Sequence, residues 1–589
     1  MERKNINEKF KWDLTLIYKN NDEFYKDYDI AKTNISLIPN FKETFLNNAD
    51  SFLEFMQIIE TTCRKLEKMY QYTHLAVDVE PENDNIQNLY AEVLALYDEY
   101  SQATVFIDLE ISKNPDKAKS VIESDKTNVY TKYINDIIRA SSHLASDEVE
   151  NVLAQADSVL NNGYETYSVF RPEFKPVIIN GKEEFLNQET LSQFLKNPDE
   201  NIRKQAYENL YSEYKKYANV FASTLSGTIK KDVFYSKVHK FDSPLEASLF
   251  SDNAPKELFY KVIDMALNKY HKHLLEYVDI RKKILNKEKL EIYDMNLPLA
   301  TEPSKKYDLN DAYDLIFKST KFFGKDYRRI LETARNERWI DYYTHTGKRH
   351  GAYSSGCYDS SPYILMSYLD NVESVFTLIH ELGHSVHSYL SSHHQPYILS
   401  DYKIFVAEVA STVNENLLMY TLLENAETKE EKAYLLYRQI FENIALIYRQ
   451  PFFANFENIL HEKVANNESI SNQTITSLYD NLTKEYWGEN INISEFNKYS
   501  CYSVPHFYYN YYVYKYTVGQ CVSSVIASRI YNGNKEQTEK YLNFLKSGCT
   551  KDPIDLLKDA GVNPLDDTIY DEAFENFAKL LEEFKECMK

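Results

Sequence analysis

The chain has 589 residues, too many for one small core, and its 13 Gly and 16 Pro beside 50 Tyr favour long helices joined by short turns. Its formal net charge of −22 argues against a nucleic-acid-binding role. A polar start (MERKNINEKFKW), no apolar run long enough to span a bilayer, and six scattered cysteines without a C-x-x-C pair lead us to expect a cytoplasmic protein with reduced thiols, no secretory signal and no membrane contact.

Taken in chain order, the first helices are expected over residues 22–37, 51–76 and 85–113, with a break at Glu80-Pro81-Glu82-Asn83-Asp84. Two more should cover 130–141 and 147–160. A β-hairpin is then expected, because 164–170 and 176–179 are rich in β-branched and aromatic residues and Asn180-Gly181 is a tight-turn signal. Asn197-Pro198-Asp199 opens a long helix whose stripe Ile202, Ala206, Leu210, Tyr214, Tyr217, Phe221, Leu225 keeps helical spacing. A boundary near residue 190 separates an N-terminal helical lobe (1–190) from the remainder (191–589). Two short strands are expected at 351–356 and 363–368, followed by helices over 371–390, 403–423 and 432–448. The charged run 427–432 reads as a solvated turn.

The helix expected at 371–390 carries His380-Glu381-Leu382-Gly383-His384, an H-E-x-x-H motif. His380 and His384 are i and i+4, so their imidazoles share one face and can hold a single Zn²⁺ at about 2.0–2.1 Å each. Glu381 lies beside the first ligand, placed to act as general base toward a water. Gly383 leaves room for close packing. His387, also on the motif face, is read as a packing or hydrogen-bonding residue, since a fourth protein ligand would close the open coordination position.

Catalytic zinc usually takes a third protein ligand. Position 390 is Leu, so the H-E-x-x-H-x-x-G-x-x-H pattern fails, and a carboxylate from the next helix is needed. Glu408 is favoured, because it sits among apolar and small residues where an unpaired carboxylate would be costly. Asp401 is better used as a cap, and Glu415 is either an ion-pair glutamate or a hydrogen-bond acceptor for a ligand imidazole. Towards the C-terminus, residues 502–516 hold seven tyrosines and His506. Most of these rings read as core, but Tyr511 and Tyr514 are i, i+3, expected on one helix face, and their phenols could donate to an oxyanion.

These residues together resemble the thimet-oligopeptidase-type zinc peptidases, family M3, and most closely the bacterial oligoendopeptidase F group. The resemblance runs through Trp12-Asp13-Leu14, Gly351-Ala352-Tyr353-Ser354, the stretch from Phe376 to Ser388, and the stretch from Pro505 to Tyr514. Leu382 stands where relatives more often have Phe, Phe507 where they have a mobile Tyr, and His506 falls at a shifted spacing. The resemblance implies a mainly α, two-lobed helical clamshell with a deep central channel and a small β element beside the active-site helix. It also implies one Zn²⁺ per chain on His380, His384 and Glu408, with Glu381, Tyr511, Tyr514 and His506 catalytic. Gly351, Ala352 and Tyr353 would pair with the backbone of a short unstructured peptide substrate by strand addition. An exopeptidase that captures a terminal carboxylate through Arg349 and His350 is the alternative, and a non-catalytic peptide-binding helical protein a more distant one. The oligomeric state stays open.

Overall fold

The computed structural model describes residues 2–589, which are mainly helical with three small sheets. The chain divides into two compact units, each assembled from three separate stretches. One comprises residues 2–142, Ser304–Leu422 and Ser523–Asn563; the other comprises His143–Pro303, Leu423–Val522 and Pro564–Lys589. This differs from the contiguous division expected near residue 190. Residues 143–190 pack with later segments of the chain, and the chain subsequently returns to the first unit. Contacts between sequence-distant helices decide such a division, and local composition does not encode them.

The first unit is organised by the helix Ala49–Val79, whose Asn48 side chain caps it by accepting from the Ser51 amide. Its apolar residues recur at helical spacing. Leu66, Met69 and Leu75 enter a core with Trp12, Phe24, Val93, Leu96, Tyr363 and Leu365. The N-terminal helices are thereby held onto the strand Tyr363–Leu365. That strand is the middle of three, parallel to Ile340–Asp341 and antiparallel to Tyr353–Ser355. Tyr353–Ser355 is therefore an outer strand of the sheet. The segment leading to it is braced by buried Lys348, which donates to Asp341 Oδ1 at 2.7 Å and to the Met366 carbonyl at 2.6 Å.

In the second unit the expected hairpin exists but pairs different residues. Val177–Ile179 pairs with Lys182–Glu184 across Asn180 (φ 52°) and Gly181 (φ 78°), the left-handed pair that a two-residue turn requires. Residues Asn162–Val169 form a helix instead of a strand. Gly163 lets this helix lie against another, since a Cβ there would sit 2.7 Å from the Thr224 carbonyl oxygen. The long helix after Asp199 runs as Glu200–Lys216 and Ala218–Val238, interrupted at Tyr217. Its apolar stripe continues across the break, so periodicity alone did not reveal the interruption.

Candidate metal centre

The motif helix is Val372–His394, opened by Asn371, whose side chain accepts from the Ser374 amide at 2.9 Å. The chain turns back through the short helix Tyr397–Ser400 and returns as Ile404–Glu424. The two long helices meet at Gly383. A Cβ added there would lie 2.8 Å from Ser411 Cα and 2.9 Å from the Ala410 carbonyl oxygen. Only glycine permits this approach, which falls beside His384 on one helix and three residues from Glu408 on the other.

The approach brings three donor atoms together. The Nε2 atoms of His380 and His384 are 3.2 Å apart, and each lies 3.4 Å from Glu408 Oε2. A tetrahedral ion with bonds of about 2.0–2.1 Å has donor–donor edges of about 3.3–3.4 Å. The three atoms thus outline one face of such a tetrahedron, and two imidazoles with a carboxylate suit a divalent transition metal. His380, His384 and Glu408 fit the ion that the sequence calls for. Among the described residues no other group of three or more His, Cys, Asp or Glu side chains meets the same criterion.

The surroundings orient these donors. Glu415 Oε1 lies 3.0 Å from His380 Nδ1, so the carboxylate accepts Nδ1–H and leaves the Nε2 lone pair for a metal. Ser411 Oγ donates to Glu408 Oε2 at 2.9 Å, a contact that the sequence reading missed although serine at i+3 from a carboxylate is a usable signal. In the metal-free cluster, burial opposes charge on His380, but the hydrogen bond and charge of Glu415, helped by Glu381 and Glu408, raise its pKa to about 9. Burial also works to raise the Glu408 carboxyl, yet the hydrogen bond and charge of His384, with the His380 charge, bring it down to about 2. The apolar neighbours of Glu408 suggest a buried carboxylate. The structure differs: its side chain is 52 % exposed, while Phe405, Val406, Val409 and Ala410 turn into the core.

Glu381 is 7 % exposed, and burial is the main cause that raises its carboxyl above the usual range, against the two histidines. His387 is buried, stacked on Tyr402 at 3.8 Å, with its pKa pushed down to about 3 by burial. It is a neutral packing residue. Asp401 accepts its neighbour Tyr402's amide and stands outside the donor triangle.

The outer strand is tied to this site. Ser354 Oγ and Ser385 Oγ are 2.8 Å apart, and Ser385 follows His384 directly. Gly351 and Ala352 are exposed, and the Tyr353 hydroxyl donates to Asp78 Oδ2 at 2.7 Å. Arg349 is already ion-paired with that same Asp78 oxygen at 3.2 Å.

His506, Tyr511 and Tyr514 lie in the second unit. Tyr511 is not on a helix face. It has φ 58° after Asn510 at φ 45°, and the helix begins only at Tyr514. A side chain at a left-handed residue cannot continue the i, i+3 register of the helix after it, which corrects the expected geometry. Tyr511 and Tyr514 are 1 % and 0 % exposed, and the Tyr511 hydroxyl donates to Asn458 Oδ1 at 3.3 Å. The partly exposed rings of this stretch are instead His506, Tyr512 and Tyr516, with Tyr509 more exposed, grouped around the imidazole. Burial, then the charge of Arg449, lowers the His506 pKa.

Comparison with known proteins bears on this centre. The family described as Peptidase family M3 matches residues 193–576, and the one described as Oligopeptidase F matches 111–171. The chain belongs to peptidase family M3. It is a metallopeptidase, a peptide-bond hydrolase. The family member is 34 % identical to Oligopeptidase PepF of Bacillus subtilis, covering 100 % of this chain and 88 % of that one. It is 33 % identical to an Oligoendopeptidase F homolog of Borreliella burgdorferi, covering 100 % of both. Among solved structures, oligoendopeptidase-F from Enterococcus faecium superposes with a TM-score of 0.72 at 29 % identity, covering 96 % of this chain and 99 % of that one. A Chlamydophila abortus chain superposes with a TM-score of 0.92 at 30 % identity, covering 100 % and 99 %.

Proposed function

We propose that this metallopeptidase is a zinc-dependent endopeptidase acting on short unstructured oligopeptides in the cytoplasm, with one Zn²⁺ on His380, His384 and Glu408. The donor triangle of 3.2, 3.4 and 3.4 Å carries this reading, because it has the edge lengths of a zinc tetrahedron with one corner left over. When bound, zinc lowers the pKa of a water toward about 7 and polarises a carbonyl oxygen. Glu381 then takes the proton of the attacking water and returns it to the leaving amine nitrogen. Its buried setting keeps the carboxyl from being too weak a base. Glu415 holds the His380 ring in the tautomer that leaves Nε2 free.

Gly351, Ala352 and Tyr353 pair with the substrate backbone at the edge of the sheet, and Tyr511, Tyr514 and His506 are the assigned oxyanion donors. Both tyrosine side chains are buried in the present conformation, so that last role requires their hydroxyls to become exposed. The ion pair between Arg349 and Asp78 favours the endopeptidase over the exopeptidase, since a captured terminal carboxylate would have to share the Arg349 charge with Asp78. The test is Glu381→Gln. Metal analysis should find zinc retained at wild-type stoichiometry while hydrolysis of a quenched nonapeptide falls by several orders of magnitude. Near wild-type turnover would remove Glu381 from the mechanism.

A further inference from the structure

A cavity of about 610 Å³ lies within the unit that holds the metal centre. Its wall includes Ser388 of the motif helix, one turn beyond His384, and Ala407, which directly precedes Glu408. Ser355, the last residue of the outer strand, forms another part. A helical turn rises about 5.4 Å, and an extended peptide advances about 3.3–3.6 Å per residue. A side chain entering this cavity therefore belongs to a residue within about three positions of the scissile bond.

The charge of the wall is one-sided. Among the described residues its charged lining is Glu67 and Asp401, with no Lys, Arg or His. Among the described residues neither carboxylate has a basic partner: Glu67 accepts the Tyr397 hydroxyl, and Asp401 accepts the Tyr402 amide. The nearby cations of the Glu67 helix are ion-paired with other carboxylates, although Arg64 lies over the ring of Tyr358 and its charge still reaches Glu67. Arg64 makes two hydrogen bonds to Asp359, while Lys65 and Lys68 pair with Asp27. Burial first, with the charges of Asp401 and Asp359, raises the Glu67 carboxyl above the usual range, against the Tyr397 hydrogen bond and the charge of Arg64. The rest of the lining mixes tyrosines with serines and a few apolar residues, and its rings suit the aliphatic stem of a long cationic side chain whose head reaches an acceptor.

We propose that this cavity is a substrate side-chain pocket selecting lysine or arginine close to the cleaved bond, with Glu67 and Asp401 as its specificity-determining carboxylates. The inference rests on the peptidase reading above and adds the chemical class of residue the enzyme prefers. The test uses full-length metal-loaded protein and quenched octapeptides in which lysine, or its uncharged near-isostere norleucine, is walked through the three positions on each side of one cleavage site. At one position lysine should exceed norleucine in kcat/KM by about 10- to 100-fold, the range for a charged hydrogen bond. In Glu67→Gln, and separately in Asp401→Asn at the more exposed site, that ratio should shrink to about threefold or less.

The readout is a ratio within each variant, so a general loss of activity cancels. Should Glu67→Gln fail to fold, Asp401→Asn still decides. Equal cleavage of the lysine and norleucine peptides at every position overturns the pocket assignment, as does a lysine preference unchanged in the variants. In both cases chelator-sensitive hydrolysis continues, and the peptidase reading stands. Absence of hydrolysis of any peptide by the metal-loaded wild type is a different result: it overturns the peptidase reading, and the pocket falls with it.

Discussion

Gly383→Ala tests the central geometric claim, that one missing side chain sets the metal triangle. The new Cβ would lie 2.8 Å from Ser411 Cα and 2.9 Å from the Ala410 oxygen, whereas ordinary contacts between carbon atoms are about 3.5–4.0 Å. Because the obstacle is backbone, the helices must part by about 0.7–1 Å. Alanine improves helix propensity by about 0.8–1.0 kcal/mol, but overpacking costs about 1–3 kcal/mol, so the metal-free protein should lose up to about 2 kcal/mol. Metal bonds tolerate only about 0.2 Å, so metal binding should suffer more than folding. We expect the metal Kd to rise by about 10- to 100-fold, as when the supports of a ligand are disturbed. Competition with a chromophoric chelator gives Kd, and thermal unfolding of the metal-free protein gives the stability term separately. Gly227→Ala, mid-helix with nothing within 4 Å of the new Cβ, is the control and should stabilise slightly. Wild-type metal affinity in Gly383→Ala would refute the reasoning, because it would mean that the helices need not touch there for Glu408 to reach the histidines.

Glu408→Ala should lose stoichiometric metal on buffer exchange. Glu415→Ala should keep it in metal excess with affinity weakened about 10- to 100-fold, since Glu415 orients a ligand without being one; inverted results by metal analysis would exchange their roles. Glu457 supplies a pH prediction from the second unit. It is 2 % exposed, accepts the Tyr511 amide at 2.6 Å, and burial raises its pKa from 4.5 to about 7. A carboxyl whose folded pKa is raised contributes stability that is full below pH 4.5 and is lost as pH rises through about 7, because the unfolded chain gives up the proton first. Glu457→Gln, which can still accept from Tyr511, should therefore raise Tm at pH 8 far more than at pH 4.5, by up to roughly 3 kcal/mol in stability. Equal Tm changes at both pH values would show that Glu457 is not held protonated.

Much of the site was legible because its signals are local. The i, i+4 histidines, the adjacent glutamate and the glycine between them follow from helical spacing, and the structure keeps all four on Val372–His394. The 3.6-residue apolar period also located most helices, since Asp147–Leu160 and Ile404–Glu424 lie where their patterns run. Where the pattern was ambiguous it misled. Residues 162–169 are rich enough in aromatics to read as a strand, but Gly163 seats them as a helix against Thr224, a neighbour that no local window contains.

Residue order alone singled out the side chains that the structure gathers into a candidate metal group, and indicated that helices would present them, because the succession of side chains along a helix is a covalent fact. It left open that Glu408 would be half exposed, that Tyr511 would sit in a left-handed corner ahead of its helix, and that stretches 2–142, 304–422 and 523–563 would make one unit. Those outcomes depend on which distant surfaces exclude each other's atoms and share each other's buried groups. Only the assembled packing of the folded chain sets that balance.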